Sequence, residues 1–531
     1  MAKQPAAASF ASIPLDDASA TPLYYQVYQR LRAAILLGQL APGARLPSTR
    51  QMADDLGVSR NTMMSAFDQL IAEGYVVGRV GAGTFVSPTL PEELLQARLK
   101  IKRGVQIQPT RRSLSQRGQV LARASVTVAD RPPGRMRPFI PGIPALDEFP
   151  MSLWSQLLAR RWRDESRGLL NYGPAAGFKA LREAIAAYLG PSRGVQCDAE
   201  QVVIVSGTQQ ALDLVARVLL DPGDSVIVEE YCYTAARAAL IGAGLRLVPV
   251  AVDDAGLDIN RLAANPADPR LAYVTPSHQY PLGVTMSLSR RLALLDWANR
   301  TGAWILEDDY DSEYRYVGRP LAALQGLDKS GSVIYVGTFS KVLFPSLRIG
   351  YIVAPPALVS AFTVARAALS WCNPIIDQAV LADFINEGHF TRHIRRMRSI
   401  YAERQGILID AIKREAGELV EVARADAGIH VRALLPYHLD DKAVAREALT
   451  QGIVAHALSS YFLGDAAHAP RGLVLGYGAY RPRQLREGAT KLAIALKTVA
   501  RNSANRRAGF RSQSGVDPSF AQELGGPISS K

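Results

Sequence analysis

The valine-rich run Ser332 to Val336 reads as a buried strand, and it ends in Gly337-Thr338-Phe339-Ser340-Lys341. No other feature constrains the chain so much. A lysine just past the end of a buried strand stands where open α/β sheets place ligands, and its amine can condense with an aldehyde cofactor to give an aldimine. Thr338 and Ser340 offer hydroxyl donors, and Arg348, in Pro345-Ser346-Leu347-Arg348-Ile349-Gly350, offers a fixed positive fork. Those groups suit a phosphate.

Three further segments repeat the placement of chemistry at strand ends. Glu307-Asp308-Asp309-Tyr310-Asp311 closes the apolar run Ala303 to Leu306, and an acid there can keep a pyridine nitrogen protonated. Val202 to Val205 leads into Ser206-Gly207-Thr208-Gln209-Gln210, a strand, a glycine turn and a helix start. Backbone N–H groups and the helix dipole favour an anion at such a turn. After the strand Ser225 to Val228, residues Glu229 to Tyr233 bring an aromatic ring that can stack on a flat cofactor.

With these segments in this order, residues 138–500 resemble the fold-type I aminotransferases. The resemblance also rests on Asn171-Tyr172-Gly173-Pro174 through Gly177, on Leu181-Arg182-Glu183-Ala184-Ile185, and on Pro276-Ser277-His278-Gln279-Tyr280-Pro281-Leu282-Gly283. It implies an α/β fold with a mixed, mainly parallel sheet, a smaller α+β domain, and pyridoxal 5'-phosphate (PLP) bound to Lys341. It further implies that Asp308 faces the pyridine nitrogen, that Tyr310 donates to the phenolic oxygen and that Tyr233 stacks on the ring. Gly207, Thr208, Gln209, Thr338, Ser340 and Arg348 would hold the phosphate, with Tyr172 reaching that of a neighbouring subunit in a homodimer. Tyr280 stands where such enzymes carry Asn before the Pro, which leaves Gln279 or His278 to replace the amide. Tyr231-Cys232-Tyr233 likewise departs from the usual Pro-Gly-Tyr. Arg471, before Leu473 to Gly476, is the candidate to clamp a substrate carboxylate.

A second, unrelated pattern occupies residues 21–87. Val27, Leu31 and Ile35 fall four apart in an amphipathic helix ended by Gly38, Thr49 to Leu56 is a short helix stopped by Gly57, and Ser59 caps a helix to Glu73. Met63, Phe67, Leu70 and Ile71 are expected inside that helix, with Arg60, Asn61, Thr62, Ser65 and Gln69 outside. Two helices joined by a tight turn, the second opening on Arg, Asn and Thr, have the layout of a major-groove reader. Tyr75 to Gly78 and Thr84 to Ser87, around Gly81-Ala82-Gly83, predict a β-wing. Leu46-Pro47-Ser48-Thr49-Arg50, Gly57-Val58-Ser59-Arg60-Asn61-Thr62 and Glu73-Gly74-Tyr75 resemble the GntR winged-helix family, which implies that Arg50, Ser59, Arg60, Asn61, Thr62 and Gly81 touch DNA. A GntR reader ahead of an aminotransferase-like domain resembles the MocR regulators of the GabR, PdxR and TauR types, as does Ser312-Glu313-Tyr314-Arg315-Tyr316.

Composition sets the outer bounds. The 531 residues are 48% hydrophobic and 21% charged, ordinary for globular domains. No apolar stretch approaches the roughly 20 residues that span a bilayer, and the N-terminus does not read as a signal peptide. Three scattered cysteines suggest a reducing, cytoplasmic setting, and no metal-ligand spacing links them to the seven histidines. The net charge of +13 is concentrated between Pro91 and Arg137, where eleven Lys or Arg meet three acids. The expected organisation is a winged helix at 18–88, a basic linker at 89–137, the PLP-binding domain at 138–500 and a disordered tail at 501–531. The expected function is a PLP-dependent transcriptional regulator that binds operator DNA and senses an amino compound or PLP, with weak or no turnover. The alternative is a working aminotransferase carrying a DNA-binding domain.

Overall fold

The structure, a computed structural model, describes residues 15–16, 19–79, 81–90, 113–123, 137–164, 166–264, 268–318, 321–464 and 469–513. The chain divides into two compact units, Met1–Ser113 and Leu114–Lys531.

In the first unit, helix Leu23–Leu36 buries Val27, Tyr28, Leu31 and Ile35 along one face. Helix Thr49–Leu56 starts where the Ser48 hydroxyl accepts from the Gln51 N–H and stops at Gly57, whose φ of 66° is left-handed. Helix Arg60–Ala72 starts likewise at Ser59, which accepts from the Thr62 N–H at 3.1 Å. It buries Met63, Ala66, Phe67 and Leu70. Ile71, expected inside, is 45% exposed, because 3.6 residues per turn place it about 80° from Met63. The two wing strands, Val76–Arg79 and Gly83–Val86, pair antiparallel around a turn containing Gly81 at φ 74°. Their apolar residues close one core with the helices.

The second unit is built on a seven-stranded sheet. From edge to edge its strands are Val202–Val205, Gly350–Val353, Val333–Thr338, Trp304–Asp309, Leu271–Val274, Ser225–Glu229 and Arg246–Val250. Gly350–Val353 is antiparallel to both neighbours and the remaining pairs are parallel. The central strands are buried on both faces, as parallel sheets require. Helices Thr208–Leu219, Thr234–Gly242 and Val359–Ser370 cover one face, while Leu288–Thr301 covers part of the other. A smaller antiparallel sheet follows, in the order Glu421–Val422, His430–Leu434, Gly472–Gly476, His456–Ala457. Its Val431, Ala433, Leu473 and Leu475 pack into a core with helices His389–Ala416 and Pro482–Gln513.

Two boundaries differ from expectation. Helix Gln116–Arg123, inside the expected linker, belongs to the second unit: Leu121 lies against Gly242, and Arg117 Nε donates to the Gly242 carbonyl at 2.6 Å. At the other end, helix Pro482–Gln513 runs through the start of the expected tail. Leu485, Ala489, Leu492 and Leu496 anchor it in the core, and extending an established helix is far easier than starting one. Lys100, Lys102, Arg103, Arg111, Arg112 and Pro132 to Gly134 lie outside the described residues. Among the described residues no helix is long and apolar enough to cross a membrane.

Candidate functional site

The C-terminal ends of four parallel strands bring the predicted chemistry together. Lys341 follows strand Val333–Thr338 and its Nζ donates to the Gly142 carbonyl at 2.9 Å. Asp308, on the adjacent strand, accepts from the Tyr273 hydroxyl at 2.9 Å through Oδ2. Its Oδ1 is buried with no partner among the described residues. Burial pushes the Asp308 carboxyl up to about 7; the Tyr273 hydrogen bond and Lys341 oppose the rise, and Asp309 adds to it. A carboxylate so placed fits a cationic ring nitrogen.

The phosphate side also fits. Gly207, at φ 89°, opens helix Thr208–Leu219, and the Arg348 guanidinium lies 3.3 Å from where a Cβ on Gly207 would stand, donating to the Ser206 carbonyl at 2.6 Å. Glycine is required there for both the φ and the approach. Gln209 Nε2 and Ser340 Oγ are buried without partners among the described residues, two polar groups suited to phosphate oxygens. The Thr338 hydroxyl accepts from the Ser340 N–H at 3.2 Å. Tyr172 is 78% exposed beside Trp371, with ring centroids 5.7 Å apart.

On the ring side, Tyr233 meets Tyr280 edge-on at 5.5 Å, and Tyr310 meets it at 5.8 Å. The Tyr310 hydroxyl lies 3.0 Å from His278 Nδ1, which also faces Asp311 at 3.0 Å. Of the two residues proposed to replace the missing amide, Gln279 is committed elsewhere. Its Nε2 donates to the Tyr231 and Tyr280 carbonyls and to Glu229, and its Oε1 accepts from the Leu282 N–H. His278 retains a buried Nε2 with no partner among the described residues. His430 packs against both His278 and Tyr280, at 5.1 and 5.2 Å. Burial, with His278 and Lys341 nearby, lowers it to about 3 and keeps it neutral.

Arg471 does not join this cluster. Strand Gly472–Gly476 turns Leu473 and Leu475 into the helix-covered core and Val474 toward Tyr231 and Tyr461. Alternation puts Arg471 with Leu473, away from that tyrosine-lined face, where its guanidinium stands 3.7 Å from buried Asp441. Tyr273, Gly142 and His430 were missed in the sequence. Of these only Tyr273, a polar group within the run Leu271-Ala272-Tyr273-Val274, leaves a signal.

In the first unit Arg50, Arg60, Asn61, Ser65 and Gly81 are exposed. Ser59 and Thr62 are tied to each other, hydroxyl to hydroxyl at 2.8 Å, so they build the helix end that presents Arg60 and Asn61.

Residues 23–86 match the family described as bacterial regulatory proteins, gntR family, and residues 147–466 match aminotransferase class I and II. The chain is 44% identical to the Rhizobium meliloti protein named "Probable rhizopine catabolism regulatory protein MocR", over 92% of this chain and 97% of that one. The chain belongs to the MocR-type regulators of the GntR family. It is 33% identical to the Rhodobacter capsulatus protein named "HTH-type transcriptional regulator TauR", over 90% and 96% of the two chains. Among solved structures, LysN, an alpha-aminoadipate aminotransferase from Thermus thermophilus, superposes with a TM-score of 0.67 at 30% identity, covering 72% of this chain and 98% of that one. The GntR match implies DNA binding, and the class I and II aminotransferase fold implies PLP.

Proposed function

We propose that the C-terminal unit holds PLP on Lys341 and uses it to sense an amino compound, or PLP itself, within a homodimer whose GntR domains bind an operator. The observation that carries this reading is the convergence, at one end of the parallel sheet, of Lys341, the unpartnered Oδ1 of Asp308 and the Arg348 guanidinium over Gly207. Bound there, PLP would supply an aldehyde that an amine can exchange with the lysine.

The protein's own groups divide the remaining work. Arg348, the helix start at Thr208, Ser340 and Gln209 neutralise and orient the phosphate. Asp308, ionised, holds a positive charge at the ring nitrogen. Tyr310 and His278 hold a proton near the phenolic oxygen, with Asp311 fixing the imidazole. Tyr233 limits the ring's motion. Lys341, whose amine donates to the Gly142 carbonyl, would carry the cofactor. Arg50, Arg60 and Asn61 read DNA from the first unit, with Ser59, Thr62 and the wing glycine Gly81 shaping the contact surface.

A ligand regulates only by its differential affinity for two states of the protein. The test is an absorbance titration of the PLP-loaded protein with amines, run beside binding to DNA from upstream of its own gene. The expected result is an amine that changes both the spectrum and the DNA affinity. DNA binding indifferent to PLP and to every amine overturns the sensing role.

A further inference from the structure

Strand His430–Leu434 turns Val431 and Ala433 into the helix-covered core and His430, Arg432 and Leu434 to the opposite face. That opposite face looks onto the candidate site. His430 packs on His278 and Tyr280, and Leu434 packs against the cluster of Tyr231, Leu458, Tyr461 and Val474. Between them stands Arg432, half-buried, its guanidinium without a hydrogen bond or ion pair among the described residues. Across the sheet Arg432 pairs with Val474, and Val474 with His456, so these share the face. Tyr231 nearby has a buried hydroxyl that also lacks a partner among the described residues. Burial and Glu230 push the Tyr231 phenol up while the Arg432 charge opposes them, which places the two groups within electrostatic reach of each other.

A half-buried arginine with no partner among the described residues is stabilised by an anion, and its planar fork suits carboxylate or sulfonate. Two strand residues advance about 7 Å, so Arg432 lies about that far along the strand from His430, which itself feels the Lys341 charge. We infer that Arg432 recognises an anionic group on the effector amine, so that the ligand sensed at Lys341 is an amino compound with a carboxylate or sulfonate a few bonds from its nitrogen. This assigns to the strand His430–Leu434 the role that the sequence suggested for Arg471, and it rests on the amine-sensing reading above.

The test titrates PLP-loaded protein with propylamine, 3-aminopropanoate, 4-aminobutanoate and 3-aminopropane-1-sulfonate, following the cofactor absorbance. The wild type should prefer an anionic amine over propylamine by at least about tenfold, and Arg432→Gln should reduce that ratio by about 10- to 100-fold, the effect of losing a charge-assisted hydrogen bond. Arg432→Lys, which keeps the charge but loses the fork, should fall between them, and serves if the Gln variant folds poorly. The carboxylate and sulfonate arms tell which anion is preferred. Equal responses to propylamine and the anionic amines overturn this inference and leave the sensing reading standing. So does a ratio that Arg471→Gln abolishes and Arg432→Gln preserves. No response to any amine overturns the amine-sensing reading and this inference with it.

Discussion

Asp308→Asn provides a quantitative test of the cofactor site because its effect on the cofactor-free protein should be opposite to its effect on the loaded one. Burial raises the Asp308 carboxyl from an ordinary 3.8 to about 7, which corresponds to up to about 4 kcal/mol against folding once the group is ionised. Between pH 4 and 7 the unfolded chain has lost this proton and the folded chain still holds it. Stability from this group therefore falls as pH rises through that window and is level above pH 7. Asparagine keeps an acceptor for the Tyr273 hydroxyl and does not titrate. The variant's advantage should thus grow by about 1.4 kcal/mol per pH unit from pH 4 to 7. With an unfolding entropy of about 2 cal/mol/K per residue over roughly 400 residues, 4 kcal/mol is about 5 °C at pH 8. Glu229 and Glu307, also raised to about 7 by burial, titrate in both proteins and largely cancel. The assay is a pair of thermal melts of the full chain without cofactor, following the transition that moves when PLP is added. Saturating PLP should reverse the order, because the wild-type carboxylate then faces a cation and the amide does not. Parallel melting of the two proteins from pH 4.5 to 8, or a wild type more stable than the variant at pH 8 without cofactor, would refute the reasoning.

Lys341→Ala should abolish the borohydride-stable adduct on the protein while leaving weaker PLP binding through Arg348 and the helix start at Thr208; a lysyl adduct at wild-type yield, read by peptide mass, would place the anchor elsewhere. Arg60→Ala should weaken specific DNA binding by about 1–3 kcal/mol if it makes a bidentate base contact. Neutralising Lys100, Lys102 and Arg103 together should weaken all DNA alike and flatten the salt dependence, so that filter or fluorescence titrations at several salt concentrations separate reading from holding. Transamination of common amino donors should run below about 1 per second, while the effector changes DNA affinity by about 1–3 kcal/mol; ordinary enzyme rates with DNA binding blind to amines would favour the aminotransferase alternative.

Strand-end chemistry made the site legible in the sequence because it is local. A valine run, and a glycine and a lysine four residues apart at its end, keep their relation in any fold that buries the run, and Asp308 and Gly207 were found on the same ground. Helix caps are local too, which is why Gly57 and Ser59 marked the ends of their helices correctly. Tyr273 and Gly142 were not legible in that way. Gly142 meets Lys341 across 199 positions of sequence, and Tyr273 meets Asp308 only because the sheet sets their strands side by side. Arg471 drew attention in the sequence and Arg432 did not, for a related reason. Both precede or lie within apolar runs, and which side of a strand faces the site depends on where the helices pack. Helix Gln116–Arg123 was hidden by the positive charge around it, since a linker composition and a short docked helix differ in little more than Val120 and Leu121.

The loop 276–283 links the candidate site to the smaller sheet. The Gln279 side chain is held by four hydrogen bonds to its own loop and to the neighbouring Glu229–Tyr231 turn, so the loop is stiff at the point where the aminotransferase resemblance implies a cofactor-binding amide. Tyr280, next in the chain, faces outward to the smaller sheet instead. Its hydroxyl is 3.3 Å from that of Tyr461, which in turn stands 2.8 Å from His456 Nδ1. Tyr233 and Tyr310, the two aromatic residues expected at the cofactor, both pack against the same Tyr280 ring. A ligand that shifts those rings therefore acts on a side chain already tied to the smaller domain. Tyr280 thus makes a mechanical link between the candidate site and the smaller sheet, an arrangement that suits a switch better than it suits rapid proton transfer.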